Sequence, residues 1–276
     1  MFLFNGKIYK DLSFLTSSFL NSYMFNYGYG FFETILFENS KLYFYALHLE
    51  RMKNTIATFY PDYLYNFDYI SEDKVLDFIL RRVNSPKDSH KIKIIYGDFF
   101  NKKRVDFLVQ IYPYIREDKF YKCFIHKEIT EDFLKKYKTM NYMKNVYLRD
   151  LYKKNYNIDE VLFINKKGRI IEGTITNILV VYNKNLYYVE PFEPYLEGII
   201  QKIIIENYQD LGFKKIIKKS RGFPLKFLRQ ADEVILTNSL ILVQPVSIIY
   251  NKKFSKKHII KNKGYYLKIR EFLRNL

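Results

Sequence analysis

The chain has 276 residues, 48% of them hydrophobic and 27% charged, and its formal net charge is +17. This length suits one large domain or two smaller ones and can bury a sizeable core. No apolar run is long enough to predict a membrane span, and Met1–Lys7 lacks the basic start and long apolar stretch of a secretory signal. The single cysteine, Cys123, excludes an intrachain disulfide and indicates a reducing, cytoplasmic compartment.

The basic excess, 46 Lys and Arg against 29 Asp and Glu, raises the alternative of a nucleic-acid-binding protein. The lysines are spread along the whole chain, and they accompany many Asn, Ile, Tyr and Phe residues, a usage typical of an AT-rich genome. This even distribution argues against a nucleic-acid partner. A positive field would still attract an anionic substrate or a cofactor phosphate.

The N-terminal part predicts short strands followed by a helix. Residues 2–9 predict a hairpin around an Asn-Gly turn. Strand patterns at 33–38 and 41–45 flank a second turn, and the helix predicted after them has an apolar face and carries Arg51. A guanidinium on a helix suits a phosphate dianion.

A second helix is predicted at 73–83, followed by two alternating strands at 91–97 and 104–112. Residues 113–118 then resemble a linker. We therefore predict two domains, an N-terminal one over 1–115 and a C-terminal one over 116–276.

A lysine precedes a helical pattern in the C-terminal half. We predict that Lys138 begins a helix, because apolar residues recur behind it at spacings of three and four: Met140, Met143, Tyr147, Leu148 and Leu151. A hairpin follows, and its second arm presents Glu172. Such an amine and carboxylate are what pyridoxal phosphate needs, since the amine forms a Schiff base and the carboxylate keeps the pyridine nitrogen protonated.

The remaining pattern predicts strands at 175–182 and 186–189, and a helix from Ile199 whose apolar face extends to Leu211 and whose C-cap is Gly212. Within 233–246, the Thr237-Asn238-Ser239 segment follows a predicted strand. Residues 255–276 predict a basic C-terminal helix.

Several segments together resemble the fold-type IV pyridoxal-phosphate enzymes, the class IV aminotransferase family, with aminodeoxychorismate lyases as the most similar branch. The segments are Tyr27-Gly-Tyr-Gly-Phe-Phe-Glu-Thr34, His48-Leu-Glu-Arg-Met52, Lys138-Thr-Met-Asn-Tyr142, Glu172-Gly-Thr-Ile-Thr-Asn-Ile178, Leu196-Glu-Gly-Ile-Ile200 and Glu233–Val246. The resemblance implies a mixed α/β (α+β) fold, with a smaller N-terminal α/β domain and a larger C-terminal pseudo-barrel domain. It also implies a homodimer.

The resemblance further implies residue roles. Lys138 would be the catalytic Schiff-base lysine. The cofactor would contact Arg51, Lys138, Tyr142, Glu172, Asn177, Leu196, Ile199, Ile200 and Ser239. The substrate would contact Phe32, Thr34, Tyr96 and Asn238. No metal is implied, and His48 is interpreted as structural.

Four residues depart from the family pattern. Tyr29 replaces an aspartate, and Ile200-Gln201 stands where Thr and Arg are common. Tyr96 stands where relatives often have an arginine near the substrate carboxylate. Lys93 could take over that contact, or the cluster Lys102, Lys103 and Arg104 could do so.

The reaction remains open between branches that share the same lysine and glutamate. The short chain, the Lys-x-x-Asn spacing and the Thr-Asn-Ser-Leu segment favour a lyase that converts 4-amino-4-deoxychorismate to 4-aminobenzoate and pyruvate for folate synthesis. The alternative is a branched-chain or D-amino-acid aminotransferase. The substrate in either case is a small amino compound, expected to be anionic.

Overall fold

The computed structural model describes residues 1–13, 15, 17–83, 85, 87–127, 133–190, 195–251 and 256–276. The chain divides into two compact units. Unit 1 comprises Met1–Arg116 and Tyr137–Asn141, and unit 2 comprises Glu117–Lys136 and Tyr142–Leu276. The five residues around Lys138 therefore group with the N-terminal unit, although the sequence places them beyond the predicted boundary.

Unit 1 is an antiparallel sheet with helices. Its elements are β1 (Phe2–Phe4), β2 (Lys7–Tyr9), α1 (Ser17–Leu20), α2 (Tyr23–Tyr27), β3 (Phe31–Glu38), β4 (Lys41–Leu42), α3 (Tyr45–Phe59), α4 (Glu72–Leu80), β5 (His90–Gly97) and β6 (Asp106–Pro113). The strand order is β2-β1-β6-β5-β3-β4. The predicted N-terminal hairpin is confirmed, with Phe2 opposite Tyr9.

The two faces of this sheet differ in character because successive side chains of a strand point to opposite sides. One face is buried in a core that includes Phe31, Ile35 and Tyr96, together with Met52 of α3 and Val75 of α4. The other face carries Phe32 and Ile95, which are register partners. Next to them lies a polar row made by Thr34, Lys93 and Gln110.

Unit 2 is built around a closed ring of strands. Its elements are β7 (Tyr121–His126), α5 (Met143–Tyr156), β8 (Glu160–Ile164), β9 (Ile170–Gly173), β10 (Asn177–Tyr182), β11 (Asn185–Tyr188), α6 (Ile199–Glu206), β12 (Ile216–Lys218), α7 (Leu225–Gln230), β13 (Glu233–Asn238), β14 (Leu242–Asn251), β15 (Lys256–Ile259) and α8 (Tyr265–Asn275). The ring consists of strands that pair in the order β10, β13, β14, β7, β8 and β9. It is closed by the pairing of β9 with β10. The closing register pair is Glu172 with Asn177. The predicted fold class is confirmed.

Two predicted elements of the site region are wrong. The strand predicted at 41–45 ends at Leu42, because Phe44 adopts a left-handed conformation (φ 58°) and α3 begins at Tyr45. Lys138 does not begin a helix, since α5 begins only at Met143. The predicted apolar face of that helix is largely exposed: Met143 is 84% exposed.

Two helices are also shorter than predicted. Helix α6 ends at Glu206 with Asn207 as its C-cap, so Leu211 and Gly212 lie beyond it. Residues 256–259 form β15, which pairs with β14, and only the part after Gly264 is helical. In the described ranges, no helix combines the length and apolar character needed to cross a membrane.

Candidate active site

The segment that carries Lys138 runs beside the start of β3. The Phe32 N–H donates to the Lys138 carbonyl over 2.9 Å, and the Met140 N–H donates to the Gly30 carbonyl over 2.9 Å. These backbone bonds hold the segment in an extended form, which explains why the helix begins later. The Lys138 Nζ lies 4.5 Å from the centroid of the Phe32 ring.

The amine of Lys138 is easier to deprotonate than that of an ordinary lysine. Burial and the positive charges of Arg51 and Lys93 lower its pKa to about 8, although the negative charge of Glu33 acts in the opposite direction. The neutral fraction is therefore about a tenth at pH 7 and about a half at pH 8. A neutral amine is the form that attacks an aldehyde or accepts a proton.

The glycines of the Gly-Tyr-Gly sequence are explained by close packing against the Lys138 segment. Gly28 has φ 65°, and a Cβ there would overlap the Asn141 Oδ1. A Cβ on Gly30 would lie 2.8 Å from the Met24 Cε and 3.0 Å from the Met140 Sδ. Two motifs that are far apart in the sequence are thus one packed arrangement.

Arg51 is oriented by a carboxylate that the sequence analysis did not assign. Glu33 is fully buried, and its two oxygens accept hydrogen bonds from Arg51, one from Nε at 2.8 Å and one from a terminal nitrogen at 2.6 Å. Burial alone would raise the pKa of Glu33, but Arg51 and His48 outweigh it and lower the pKa to about 2. In the sequence, the only sign of this pair with Arg51 is the acidic residue of the Phe32-Glu33-Thr34 motif.

His48 completes this group from α3. Its Nδ1 lies 2.7 Å from the Glu33 Oε2. Burial lowers the pKa of His48, so the ring is neutral and its Nδ1–H donates to Glu33. The structural role predicted for His48 agrees with this geometry.

The predicted substrate residues of unit 1 fall on two faces of the sheet. Phe32 and Thr34 share one face, in keeping with the alternation of β3. Tyr96 lies on the other face with 0% exposure, and its ring stacks on Phe31 and Phe107 with centroids 5.7 and 6.4 Å away. Tyr96 thus fills the core, and the structure does not bring it together with Phe32 and Thr34.

In unit 2, Glu172 lies at the closure of the strand ring. Burial raises its pKa to about 7, although Lys135, whose Nζ lies 3.6 Å from Oε1, acts to lower it. A buried carboxyl with this pKa is suited to accept a hydrogen bond from a cationic N–H group. Its register partner Asn177 begins the next strand.

The turn after Glu172 is held by Glu160, a residue that the sequence analysis missed. The buried Glu160 carboxylate accepts hydrogen bonds from both hydroxyls of Thr174 and Thr176, from the Thr174 N–H at 3.1 Å and from the Val161 N–H at 2.8 Å. A Cβ on Gly173 would overlap the Thr176 Oγ1. The Glu-Gly-Thr-Ile-Thr sequence is therefore a turn wrapped around a buried carboxylate.

The N-terminus of α6 is packed against Asn177. The Asn177 Nδ2 donates to the Leu196 carbonyl over 2.9 Å, and a Cβ on Gly198 would overlap the Asn177 Oδ1. Gly198 has φ −78°, so space rather than backbone conformation requires glycine here. The next two residues, Ile199 and Ile200, place their N–H groups in the first helical turn, which is a ready anion site. Glu193 and Pro194 before this motif lie outside the described residues.

The Thr-Asn-Ser segment lies at the end of β13. The Asn238 Oδ1 accepts from the N–H groups of Leu240 and Ile241, both at 2.9 Å, and its Nδ2 donates to the Ile175 carbonyl. This side chain therefore shapes the turn that contains Ser239. Thr237 pairs in register with Asn177, and within the described residues its buried hydroxyl has no hydrogen-bond partner. Tyr142 takes the N-cap position of α5.

Comparison with known proteins gives a family and several relatives. The model of the family described as "Amino-transferase class IV" matches residues 30–249. The aminodeoxychorismate lyase of Bacillus subtilis is 23% identical over 269 residues, which cover 90% of this chain and 86% of that protein. A Methanocaldococcus jannaschii chain with a provisional branched-chain-amino-acid aminotransferase name is 22% identical, with coverages of 92% and 90%.

Solved structures share the fold. A Mycobacterium tuberculosis structure, described as a hypothetical aminotransferase in its PLP-bound form, matches with a TM-score of 0.81 and 15% identity, covering 99% of this chain and 97% of that one. The family match spans both units described above. The chain is an enzyme of the fold-type IV group and belongs to the class IV aminotransferase family.

Proposed function

We propose that this enzyme is a pyridoxal-phosphate-dependent lyase that converts 4-amino-4-deoxychorismate to 4-aminobenzoate and pyruvate. The observation that carries the proposal is the nature of the cations on the face of the unit 1 sheet that bears Phe32. The described strand residues of this face include Lys91 and Lys93 but no arginine. Arg116, which follows β6, is already paired with Glu38 over 3.6 Å, and Tyr96 fills the core.

This observation separates the two candidate substrates. An amino acid carries a carboxylate on the same carbon as the reacting amine, and a bidentate guanidinium is well suited to hold it. In 4-amino-4-deoxychorismate the carbon that bears the amine carries no carboxylate. A site with lysines in place of such a guanidinium therefore suits 4-amino-4-deoxychorismate better than an amino acid. The 23% identity to the Bacillus subtilis lyase over nearly the whole chain gives further support.

The residues present fit pyridoxal phosphate as the cofactor. In unit 1 the Lys138 amine would bind its aldehyde, and Arg51 would face its phosphate. In unit 2 Glu172 would hold the pyridine nitrogen, and the phosphate would take the first N–H groups of α6 and the buried Thr237 hydroxyl, which has no partner in the described part of the chain. Gly198 leaves room for the Asn177 side chain, which packs against the start of α6. We also assign Tyr142, Asn177, Leu196, Ile199, Ile200 and Ser239 to the cofactor, and Phe32, Thr34 and Asn238 to the substrate.

The protein's own groups then account for the chemistry. Bound pyridoxal phosphate supplies an electron sink. Lys138 would act as the general base that removes the proton from the ring carbon bearing the amine. Breakage of the carbon–oxygen bond makes the ring aromatic, and protonated Lys138 returns a proton to the departing enolpyruvyl group, which leaves as pyruvate. Glu172 holds the proton at the pyridine nitrogen throughout.

The alternative is a branched-chain or D-amino-acid aminotransferase. The 22% identity to the Methanocaldococcus jannaschii chain favours it, and Lys138 and Glu172 would keep the same roles. The two reactions differ in their co-substrates. A lyase needs no keto acid, whereas a transaminase stops after one half-reaction without one.

The first experiment is an absorption spectrum of the purified protein with pyridoxal phosphate, followed by borohydride reduction and peptide mapping. We expect a visible Schiff-base band and a reduced adduct on Lys138, with Lys135, three positions away, unmodified. The second experiment measures 4-aminobenzoate formed from 4-amino-4-deoxychorismate without any keto acid. Product that accumulates over many turnovers supports the lyase. Turnover of amino acids only when a keto acid is present would overturn it.

We further infer a cytoplasmic homodimer. The single cysteine, Cys123, is buried, as suits a protein of a reducing compartment. Light scattering of the purified protein tests the dimer, and a monomer mass would contradict it.

A further inference from the structure

Lys93 lies in the middle of the unit 1 sheet, on the side that carries Phe32. Lys138 approaches the same side. The register partners of Lys93 are Thr34 on β3 and Gln110 on β6. The Lys93 Nζ lies 4.8 Å from the centroid of the Phe32 ring, and the Lys138 Nζ lies 4.5 Å from the same centroid. Two amines thus approach one aromatic ring.

The charge of Lys93 is not compensated. Within the described ranges no carboxylate lies at ion-pair distance from it, and its pKa is lowered by burial and by Lys91 with no opposing acid. The arginines of unit 1 that lie near the sheet are paired: Arg51 with Glu33, Arg104 with Asp106 and Arg116 with Glu38. A half-buried cation without a counterion is unfavourable, and an incoming anion relieves that cost.

The other candidate cations are less suitable. The Lys102 Nζ lies 5.9 Å from the Phe100 ring on an exposed loop, and Lys103 is exposed as well. Arg104 is already bound to Asp106 at 2.8 Å. Only Lys93 shares a ring with Lys138 among these four.

We propose that Lys93 binds a carboxylate of the substrate that is remote from the reacting amine. This inference rests on the proposed function and adds a specificity-determining residue to it. The amine of 4-amino-4-deoxychorismate and its ring carboxylate lie at opposite ends of a six-membered ring. With the amine at Lys138 and the ring against Phe32, the carboxylate reaches the ammonium of Lys93.

The test compares two probes that differ only in the carboxylate. The affinities of the cofactor-loaded enzyme for 4-aminobenzoate and for aniline are measured for the wild type, Lys93→Met, Lys93→Arg and the matched control Lys102→Met. We expect the wild type and Lys102→Met to prefer 4-aminobenzoate by about tenfold or more, the strength of a partly desolvated charge-assisted pair. Lys93→Met should lose this preference and Lys93→Arg should keep part of it.

A second measurement needs no aromatic ligand. The pH dependence with which Lys138 of the cofactor-free protein captures pyridoxal phosphate, trapped with borohydride, reports the pKa of its amine. Removal of the Lys93 charge should raise that pKa in Lys93→Met but not in Lys102→Met, because Lys93 acts on Lys138 electrostatically. A purely structural role for Lys93 would not shift it in this direction.

The outcomes separate this inference from the proposed function. Equal preference for 4-aminobenzoate in Lys93→Met and the wild type, or no preference in the wild type, would overturn the inference even if the enzyme makes 4-aminobenzoate. A preference that depends on Lys93 supports it even if the lyase assay fails. In that case the carboxylate site remains and only the reaction is wrong.

Discussion

Glu33 is fully buried and remains ionised because Arg51 and His48 both bind its carboxylate. Its negative charge also acts on the catalytic amine, since it opposes the effects that lower the pKa of Lys138. One residue thus holds the side chain assigned to the phosphate and adjusts the group assigned to the chemistry.

Replacement of Glu33 by Gln should therefore change stability and chemistry together. Loss of one partner of a buried ion pair leaves Arg51 uncompensated, and we expect the free energy of unfolding to fall by about 2–4 kcal/mol. The pKa of Lys138 should fall below about 8, because a negative charge that raises it is gone. Urea unfolding and the pH dependence of pyridoxal phosphate capture measure the two effects.

The control for this variant is Glu50→Gln, which changes an exposed carboxylate on α3.

The pH dependence of stability provides a second check on the role of Glu33. The pKa of Glu33 is lowered from 4.5 to about 2, so its stabilising contribution is present above pH 4.5 and is lost as the pH falls toward 2. The wild type should lose its advantage over Glu33→Gln in that window. A constant difference between the two proteins down to the lowest pH would contradict this account.

At the scale of elements, Gly198 is the N-cap of α6 and packs against Asn177 of β10. Its φ of −78° is open to any residue, so the requirement for glycine comes from the Asn177 side chain alone. Gly198→Ala should lower the free energy of unfolding by about 1–3 kcal/mol, as overpacking does, and should weaken cofactor binding by displacing the start of α6. Thermal unfolding and pyridoxal phosphate titration measure both.

Two further variants isolate the cause. Asn177→Ala removes the atoms that the new methyl group meets, so the double variant with Gly198→Ala should be more stable than the sum of the single effects predicts. Gly168→Ala changes a glycine with φ 69° and open space around it, and should cost only about 1 kcal/mol without affecting the cofactor. Additive effects in the Asn177 and Gly198 pair would show that some other contact requires the glycine.

The sequence predicted the strands of this site better than its connections. Period-two patterns placed β5 and β6 within two residues, and an apolar run buried on both faces placed β10 equally well. The apolar residues after Lys138 follow a helical period, but backbone bonds to β3 keep Lys138 and Met140 extended. Tertiary pairing of this kind leaves no local signal. The same holds for the Glu33–Arg51 pair and for Glu160, whose partners are recognisable only once the strands are folded.

The whole molecule carries a net charge of +17 spread over both units. Nucleic-acid binding would require a basic face that neutralises several phosphates together, and its affinity would fall steeply with salt. We expect weak retention on duplex DNA at low salt and none at about 0.15 M salt. Fluorescence anisotropy with a labelled duplex, at two salt concentrations, measures this. Tight binding that persists at the higher salt would revive the alternative of a nucleic-acid-binding protein.

The pH dependence of the whole protein's stability should differ between the cofactor-free and loaded forms. The folded-state pKa of Glu172 is raised from 4.5 to about 7, so between these values the folded protein holds a proton that the unfolded chain releases. The free energy of unfolding of the cofactor-free form should therefore decrease as the pH rises through this window, by up to about 3 kcal/mol. A protonated pyridine nitrogen beside Glu172 should remove that loss.

Glu172→Gln tests this argument because the amide cannot ionise. At about pH 8 the cofactor-free variant should be more stable than the wild type by about 1–3 kcal/mol, and at about pH 5 the difference should nearly vanish. The exposed Glu206→Gln on α6 is the control and should show neither effect. The same Glu172→Gln variant should bind pyridoxal phosphate more weakly, so the substitution stabilises the empty protein and impairs the loaded one. Chemical unfolding at both pH values, with and without cofactor, measures these differences in the free energy of unfolding. A Glu172→Gln variant that is less stable than the wild type at both values would mean that the Glu172 carboxylate is held by the fold itself rather than reserved for a cation.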